Sequence, residues 1–399
     1  MKKSLLIVSH ALELGGAERS LIGLLDALDP TVWDVDLFLL RQEGELMNAI
    51  PSHVNLLSQI PAYTVLARPM KNTLREGHVL LTAARLAGKI AAGRYAKKHG
   101  HTESAVGLEY SHKFTCPFMP AIQPDREYDL AVSFLTPHYF VARKVHAKRK
   151  IAWIHTDYSR VKVNIPSETS MWGAYDYIAS ISEAATKSFL QVFPRLKDKI
   201  VLIENILPEQ LVKEQAEAFS IESEMPAKGI QILSIGRFCH PKNFDNVPDI
   251  CRQIRQNGLE VTWYLIGFGK NEKQVQQKIA EAHMENRVIL LGKKDNPYPY
   301  IKACDLYVQP SRYEGKAVTV REAQMLGKPV VITNYATSSS QLEDGVDGLI
   351  VPIDNTGCAE GISALLRKPE IMTRLADNCK RRDYTNSAEV EKLYKLMEK

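Results

Sequence analysis

The run LYVQPSRYEGKAVTVREAQMLGKPVVIT, residues 306–333, decides the fold class. Leu306-Tyr307-Val308 has the length and apolar character of a buried strand. A loop from Gln309 to Ala317 follows, and then a helical pattern carrying Val318, Val320, Glu322, Ala323 and Leu326. Gly327-Lys328-Pro329 stops that helix and opens the next strand. Strand, helix and strand in this order form a crossover unit, and a crossover helix leaves its two strands parallel.

Working outward, the same alternation fills the chain. Apolar runs of strand length lie near 4–9, 35–40, 53–57, 129–135, 150–154, 176–181 and 199–203 in the first half. In the second half they lie near 230–235, 261–266, 287–291, 305–308, 329–332 and 348–351. Helical patterns separate them, as stacked βα units and parallel sheets require. The expected class is α/β, with two Rossmann-like doubly wound sheets. The predicted division is a first domain over 1–207, a linker over 208–228, a second domain over 229–385 and a C-terminal helix in 386–399. Nothing local tells which domain that helix joins.

Composition narrows the function. The 399 residues are 45% apolar and 24% charged, with a net charge of +5 from 51 basic and 46 acidic side chains. Those values are ordinary for a globular protein and exclude collagenous, disordered and disulfide-framework classes. The six cysteines form no CxxC pair, which reads as free thiols in a reducing compartment. The apolar run after Lys2-Lys3 ends by Ser9-His10, too short for a signal-peptide core, and no run reaches membrane-span length. A cytoplasmic protein is expected, either free or held peripherally on the inner face of the cell membrane.

The charge is unevenly spread. A helical insertion over 61–125 interrupts the alternation, and within 61–113 nine basic residues face three acidic ones. The segment Arg143 to Lys150 adds five basic residues and no acid. Val79, Ala83, Leu86 and Ile90 fall on one helical face, with Arg85 and Lys89 rotated away from it. Two readings stand: a solvated helix, or a face over 75–98 for anionic lipid or a lipid-phosphate acceptor. No nucleic-acid partner is expected, because the basic residues are not interleaved with stacking aromatics.

Three loops carry residues suited to chemistry. Gly15-Gly16-Ala17-Glu18 joins the first strand to a helix, whose N-terminal N–H groups suit an anion or a plain tight turn. Gly236-Arg237 closes the strand Ile232–Ile235, and Lys242-Asn243 follows. At the mouth of a parallel sheet the Arg fork and the Lys point charge could converge on a diphosphate, or remain exposed loop cations. The third loop is the opening run. Glu314 and Glu322 stand eight positions apart across a loop-to-helix junction, with Gly315, Lys316, Ala317 and Val318 between them offering backbone N–H groups. Asp34-Val35-Asp36 spells a DxD metal motif, but strand alternation makes both aspartates solvent-facing, and no metal is expected.

The run from Ser311-x-x-Glu314-Gly315 to Glu322-Ala323 resembles the E-x7-E motif of retaining glycosyltransferase family 4. Gly236-Arg237-x4-Lys242-Asn243, Gly15-Gly16-Ala17-Glu18, Leu265-Ile266-Gly267-Phe268-Gly269 and Glu343-Asp344-Gly345-x-Asp347-Gly348 resemble further markers of that family, in its order. The resemblance extends over the whole chain and is best from 230 to 352. It implies a GT-B fold, two Rossmann-like domains facing a central cleft, with the donor nucleotide-sugar held mainly by the second. By this analogy Arg237 and Lys242 hold the donor diphosphate and Glu322 the ribose hydroxyls. Gly16, Gly236 and the backbone of Gly315, Lys316, Ala317 and Val318 line the donor site, with Glu314 engaging the transferred sugar. His155, at the end of a predicted strand, matches the first-domain histidine that the family places near the sugar. Lys316-Ala317 departs from the family's common Phe-Gly. The resemblance also implies that the C-terminal helix in 386–399 packs back on the first domain.

The implied activity is metal-independent transfer of a hexose-type sugar, with retention, from a UDP-sugar. The acceptor would be a glycan or polyprenyl-linked saccharide in bacterial capsule, exopolysaccharide or lipopolysaccharide assembly. The nucleotide-sugar is a substrate, so no cofactor is expected. The alternatives are a GT-B nucleotide-sugar epimerase and a non-catalytic nucleotide-sugar-binding protein.

Overall fold

Every apolar run named above becomes a strand. The computed structural model describes residues 2–13, 15–100, 105–158, 161–226, 229–314 and 317–397. Its first seven strands are β1 (Lys3–Ser9), β2 (Trp33–Leu39), β3 (Val54–Leu56), β4 (Glu127–Ser133), β5 (His146–Ile154), β6 (Tyr177–Ser180) and β7 (Ile200–Leu202). The other six are β8 (Ile230–Ile235), β9 (Val261–Ile266), β10 (Val288–Gly292), β11 (Leu306–Gln309), β12 (Val330–Thr333) and β13 (Leu349–Val351).

They form two sheets, ordered β3-β2-β1-β4-β5-β6-β7 and β10-β9-β8-β11-β12-β13. Neighbouring strands in both run parallel. In each sheet the order reverses once, between β1 and β4 in the first and between β8 and β11 in the second. The chain is therefore a two-unit α/β protein of the GT-B class. The first unit is Met1–Pro208 with Asn386–Lys399, and the second is Glu209–Thr385.

Helices cover both faces of a parallel sheet, so its strands read as continuous apolar runs. Leu5, Leu6 and Ile7 in β1 are fully buried, as are Tyr307 and Val308 in β11. Burying one such aliphatic side chain contributes about 1.5–3 kcal/mol. Around β8–β12 the core holds Ile232, Trp263, Leu265, Val308 and Val331. In the first unit aromatic rings dominate, with Tyr63, Phe140, Trp172 and Phe189 in one cluster.

Residues 209–216, within the stretch read as a linker, form a helix of the second unit. The C-terminal segment belongs to the first. There Glu389 accepts a hydrogen bond from the Glu204 backbone N–H at 2.8 Å, and the Tyr394 hydroxyl accepts one from the Asp29 N–H at 3.1 Å. All six cysteines are free thiols, five of them buried.

Two local readings need correction. Asp36 is not solvent-facing: it is buried at 1% exposure, because β2 lies between β1 and β3 and is covered on both faces. Its carboxylate accepts hydrogen bonds from Asn55 Nδ2 at 2.7 Å, from Arg126 Nη1 at 2.9 Å and from the Tyr128 hydroxyl. Asp34 is exposed and pairs with Arg126 Nη2 at 2.6 Å. Arg85, counted among the surface cations, is instead half-buried. Its guanidinium donates to the carbonyls of Val65, Arg68 and Leu66, and burial lowers its pKa.

The two aspartates should separate cleanly on mutation. Asp36→Ala strands the buried Tyr128 hydroxyl and the half-buried Arg126 guanidinium and is expected to cost about 3 kcal/mol in chemical denaturation. Asp34→Ala removes one exposed pair and should cost less than about 1 kcal/mol.

Candidate functional site

Where the strand order of a parallel sheet reverses, the loops leaving the two flanking strands diverge and open a crevice at their carboxyl ends. In the second unit those strands are β8 and β11. The loop after β8 begins at Gly236, where a Cβ would sit 3.2 Å from the Lys242 side-chain carbons and 3.4 Å from the Phe244 ring. A Cβ at Gly267, whose φ is +148°, would meet the Gly236 carbonyl oxygen at 1.9 Å. Glycine at 267 lets the loops after β8 and β9 lie against each other, as a larger residue could not, and glycine at 236 leaves room for the Lys242 side chain.

Two loops are then stitched together. Asn243 adopts a left-handed φ of 62° and donates from Nδ2 to the Pro310 carbonyl at 2.8 Å. Arg312 grips Asp245 with both guanidinium nitrogens at 2.9 Å and reaches the His240 carbonyl at 2.8 Å. Burial opposes ionisation of Asp245, but the Arg312 fork outweighs it and holds the carboxyl below its ordinary value.

This stitching sets Lys242 against Glu314. Lys242 Nζ lies 2.6 Å from Glu314 Oε1, with side-chain exposures of 20% and 11%. The same oxygen accepts from Ser311 Oγ at 2.6 Å and Gln309 Nε2 at 3.3 Å. Gln309 is itself oriented by the buried Tyr307 hydroxyl, which donates to its Oε1 at 2.9 Å. An ammonium and a carboxylate thus lie together, both mostly covered, and polar neighbours hold the carboxylate in one orientation. A charge held in that way is prearranged for a charged ligand.

Glu322 lies on the helix Val318–Met325, buried at 1% exposure, and accepts from the Tyr298 hydroxyl at 2.7 Å. Entry to that helix is fixed by Gln341. Its Oε1 accepts from the Ala317 N–H at 2.7 Å, and its Nε2 donates to the Ala317 carbonyl at 3.3 Å. Thr337 Oγ1 donates to the Glu314 carbonyl at 2.7 Å. Gly315 and Lys316 lie outside the described residues. Arg237 is exposed and Val318 is the first residue of the helix.

In the first unit Gly16 opens the helix Gly16–Ala27, with open space where its Cβ would stand. The Glu18 carboxylate folds over the preceding residue, its Oε2 lying 1.9 Å from where a Gly15 Cβ would be. Burial foremost raises the Glu18 pKa.

His155 follows β5. Its ring centroid lies 4.5 Å from that of Phe134, and its buried Nε2 has no hydrogen-bond partner among the described residues. Burial lowers its pKa to about 3, so it is neutral at ordinary pH.

The sequence reading singled out only His155, yet three more histidines gather at the reversal between β1 and β4. His10 follows β1, and its ring lies 5.5 Å from that of His112. His138, fully buried after β4, faces Ser133 Oγ with Nδ1 at 2.8 Å. Burial and then Arg41 push His10 to about 4. Burial, with its neighbours' charges, drives His112 and His138 well below the ordinary range. For His10 the missed signal was positional, because a polar residue directly following a central strand sits at the sheet's crevice, whereas His112 lies within the helix Val106–Thr115 and is brought there by packing. Likewise Gln309, Tyr298, Thr337 and Gln341, which help build the second-unit site, belong to no two-carboxylate pattern.

Known proteins are similar to this chain in sequence and in fold. Residues 215–382 match the family model of glycosyl transferases group 1. The lipopolysaccharide core biosynthesis glycosyltransferase LpsE of Rhizobium meliloti is 27% identical over 155 residues, 39% of this chain and 44% of that protein. The amylovoran biosynthesis glycosyltransferase AmsK of Erwinia amylovora is 29% identical over 145 residues, 34% of this chain and 35% of that protein. The match thus spans less than half the length of most of these curated relatives.

Among solved structures, Anabaena HepE in complex with UDP and glucose aligns at a TM-score of 0.63 and 16% identity, over 99% of each chain. Sucrose-phosphate synthase from Thermosynechococcus elongatus aligns at 0.59 and 16%, over 99% of this chain and 98% of that one. These likenesses are of fold. The chain resembles bacterial surface-polysaccharide glycosyltransferases, and the family match falls on the unit that carries Lys242, Glu314 and Glu322.

The neutral histidines have a thermodynamic consequence. An unfolded histidine titrates near 6.5, whereas His10 and His155 stay neutral until about 4 and 3. Below pH 6.5 the unfolded chain binds more protons, so stability is full above that pH and is lost as pH falls. At pH 5 each of the two histidines costs about 2 kcal/mol. Denaturation at pH 7 and pH 5 should therefore differ by about 4 kcal/mol from this pair. The double variant His10→Gln/His155→Gln should flatten that slope.

Proposed function

We propose that the chain is a retaining glycosyltransferase of the family 4 type, moving a sugar from a UDP-sugar to a glycan or lipid-linked saccharide acceptor. The observation that carries this reading is the Lys242–Glu314 pair at the β8/β11 reversal, at 2.6 Å, beside a helix that buries Glu322. The group 1 match over 215–382 supports it, because the match covers these three residues. HepE's complex with UDP and glucose supports the choice of donor. The polysaccharide-building roles in the names of LpsE and AmsK support the choice of acceptor.

The chemistry follows from where charge develops. Breaking the bond between the anomeric carbon and the donor phosphate leaves positive charge on the sugar and negative charge on the leaving diphosphate. A cation aimed at those oxygens lowers the barrier most, because it gains interaction as the bond breaks. Lys242 supplies one such cation on donor arrival, exchanging its contact with Glu314 for phosphate oxygens, and the exposed Arg237 supplies a second. Glu314, released from Lys242 and still held by Ser311 and Gln309, accepts hydrogen bonds from the sugar.

Glu322 accepts from the ribose hydroxyls, with Tyr298 holding its other contact. The acceptor hydroxyl attacks the same face of the sugar, the new carbon–oxygen bond forms there, and the hydroxyl proton passes to a donor phosphate oxygen. His155, neutral and half-buried, orients substrate and takes no proton. No metal or cofactor enters the scheme.

Slow hydrolysis of the donor without acceptor tests the site. Lys242→Ala and Glu322→Ala are each expected to lower that rate by about 100-fold or more. Wild-type rates in both variants would refute the site. A screen of nucleotide-sugars for thermal stabilisation, with UDP-sugars raising the melting temperature most, tests the donor class.

A further inference from the structure

The helix Val79–His99 is turned the opposite way from an ordinary core-packing amphipathic helix. Its buried residues are Leu81, Ala84, Gly88 and Ala92, which are mostly small. A Cβ at Gly88 would lie 2.9 Å from the Tyr110 carbonyl, so the helix sits very close to its neighbour Val106–Thr115. Close approach along a small-residue face leaves the large apolar residues on the far side. Val79 is 58% exposed, Leu80 67%, Leu86 49% and Ile90 48%, and Leu74 in the preceding helix is 51% exposed. Five of the thirteen exposed large apolar side chains among the described residues thus lie within seventeen positions.

Cations frame this patch. Lys71, Arg75, Lys89, Arg94, Lys97 and Lys98 are all exposed. The one acid between residues 68 and 100 is Glu76, and Arg68 already holds it with both guanidinium nitrogens. Along the helix, Val79, Leu86 and Ile90 share a line with Arg94 and Lys97, so one outward face passes from apolar to basic. With 21 residues the helix is about 30 Å long, enough to lie flat on a surface.

We infer that this face docks the first unit on an anionic lipid bilayer. The helix would lie in the plane of the interface, with Leu74, Val79, Leu80, Leu86 and Ile90 among the acyl chains and the six cations on lipid phosphates. Charge complementarity selects this occupant. A second copy would bring an equally basic patch against the first, and a nucleic acid would leave the apolar line unburied. Under the proposed function such docking keeps a lipid-linked acceptor within reach, but the inference rests on the helix alone.

Cosedimentation of the full chain with vesicles tests it. Wild-type protein is expected to pellet with vesicles of phosphatidylcholine containing about 40% phosphatidylglycerol, to stay in solution with pure phosphatidylcholine, and to release partly in high salt. Lys97→Gln/Lys98→Gln should lower the partition coefficient about fivefold per cation removed. Leu80→Gln/Leu86→Gln should lower it at least tenfold, to roughly the level of electrostatic attraction alone. All four side chains are exposed, so the variants should keep the wild-type circular dichroism and donor hydrolysis rate. That rate separates failure of this inference from failure of the functional reading. Equal pelleting with neutral vesicles, no pelleting, or unchanged pelleting of both variants would overturn the inference. So would wild-type self-association in sedimentation velocity that Leu80→Gln/Leu86→Gln abolishes, because a second copy would then occupy the face.

Discussion

A parallel strand covered by helices on both faces can carry working polar groups only at its ends. Most of this molecule follows from that constraint. Along β1, β8 and β11 the side chains are buried, and chemistry begins in the residue or two beyond each strand: His10, Gly236 and the loop from Pro310 to Glu314. The reversal of strand order adds the second condition. Between β8 and β11 the loops leaving the two strands are bonded to each other through Asn243 and Arg312, and that junction sets Lys242 against Glu314.

Asp36 shows what an exception requires. It is a buried carboxylate in the middle of β2, and three donors surround it. Stripped of those partners it would cost several kcal/mol, which is why such residues are rare in these strands. The same economy explains Glu322. A buried phenol, Tyr298, donates a hydrogen bond to this buried helical carboxylate. In both places a tyrosine hydroxyl supplies the bond, because its ring packs among apolar neighbours while its oxygen reaches the charge.

The two units place charge at their reversals in different ways. The second sets a lysine, an arginine and two glutamates in the loops after β8 and β11 and the helix that follows. The first gathers four histidines that burial keeps uncharged. The helix Val79–His99 adds a third pattern, in which charge and apolar surface are both left outside.

All thirteen strands were legible because a doubly covered strand is an uninterrupted apolar run, and the glycines and prolines between runs mark its ends. The loops bearing Gly236, Lys242 and Glu314 were legible for the same reason, since each lies directly after a strand, and Glu322 lies on the helix that the last of them enters. The sequence by itself thus determined the fold class and where along the chain the polar chemistry falls. Tertiary structure decided what those residues touch: that Gln309 and Ser311 share Glu314 with Lys242, and that Gln341 clamps Ala317. It also decided that Arg85 bonds to carbonyls, that residues 386–399 rejoin the first unit, and that the apolar face of Val79–His99 points outward. Helical spacing fixes which side chains share a face but carries no information about which face a neighbour covers. Here Gly88 and two alanines allowed the closer approach, and packing followed closeness of fit over bulk of apolar surface.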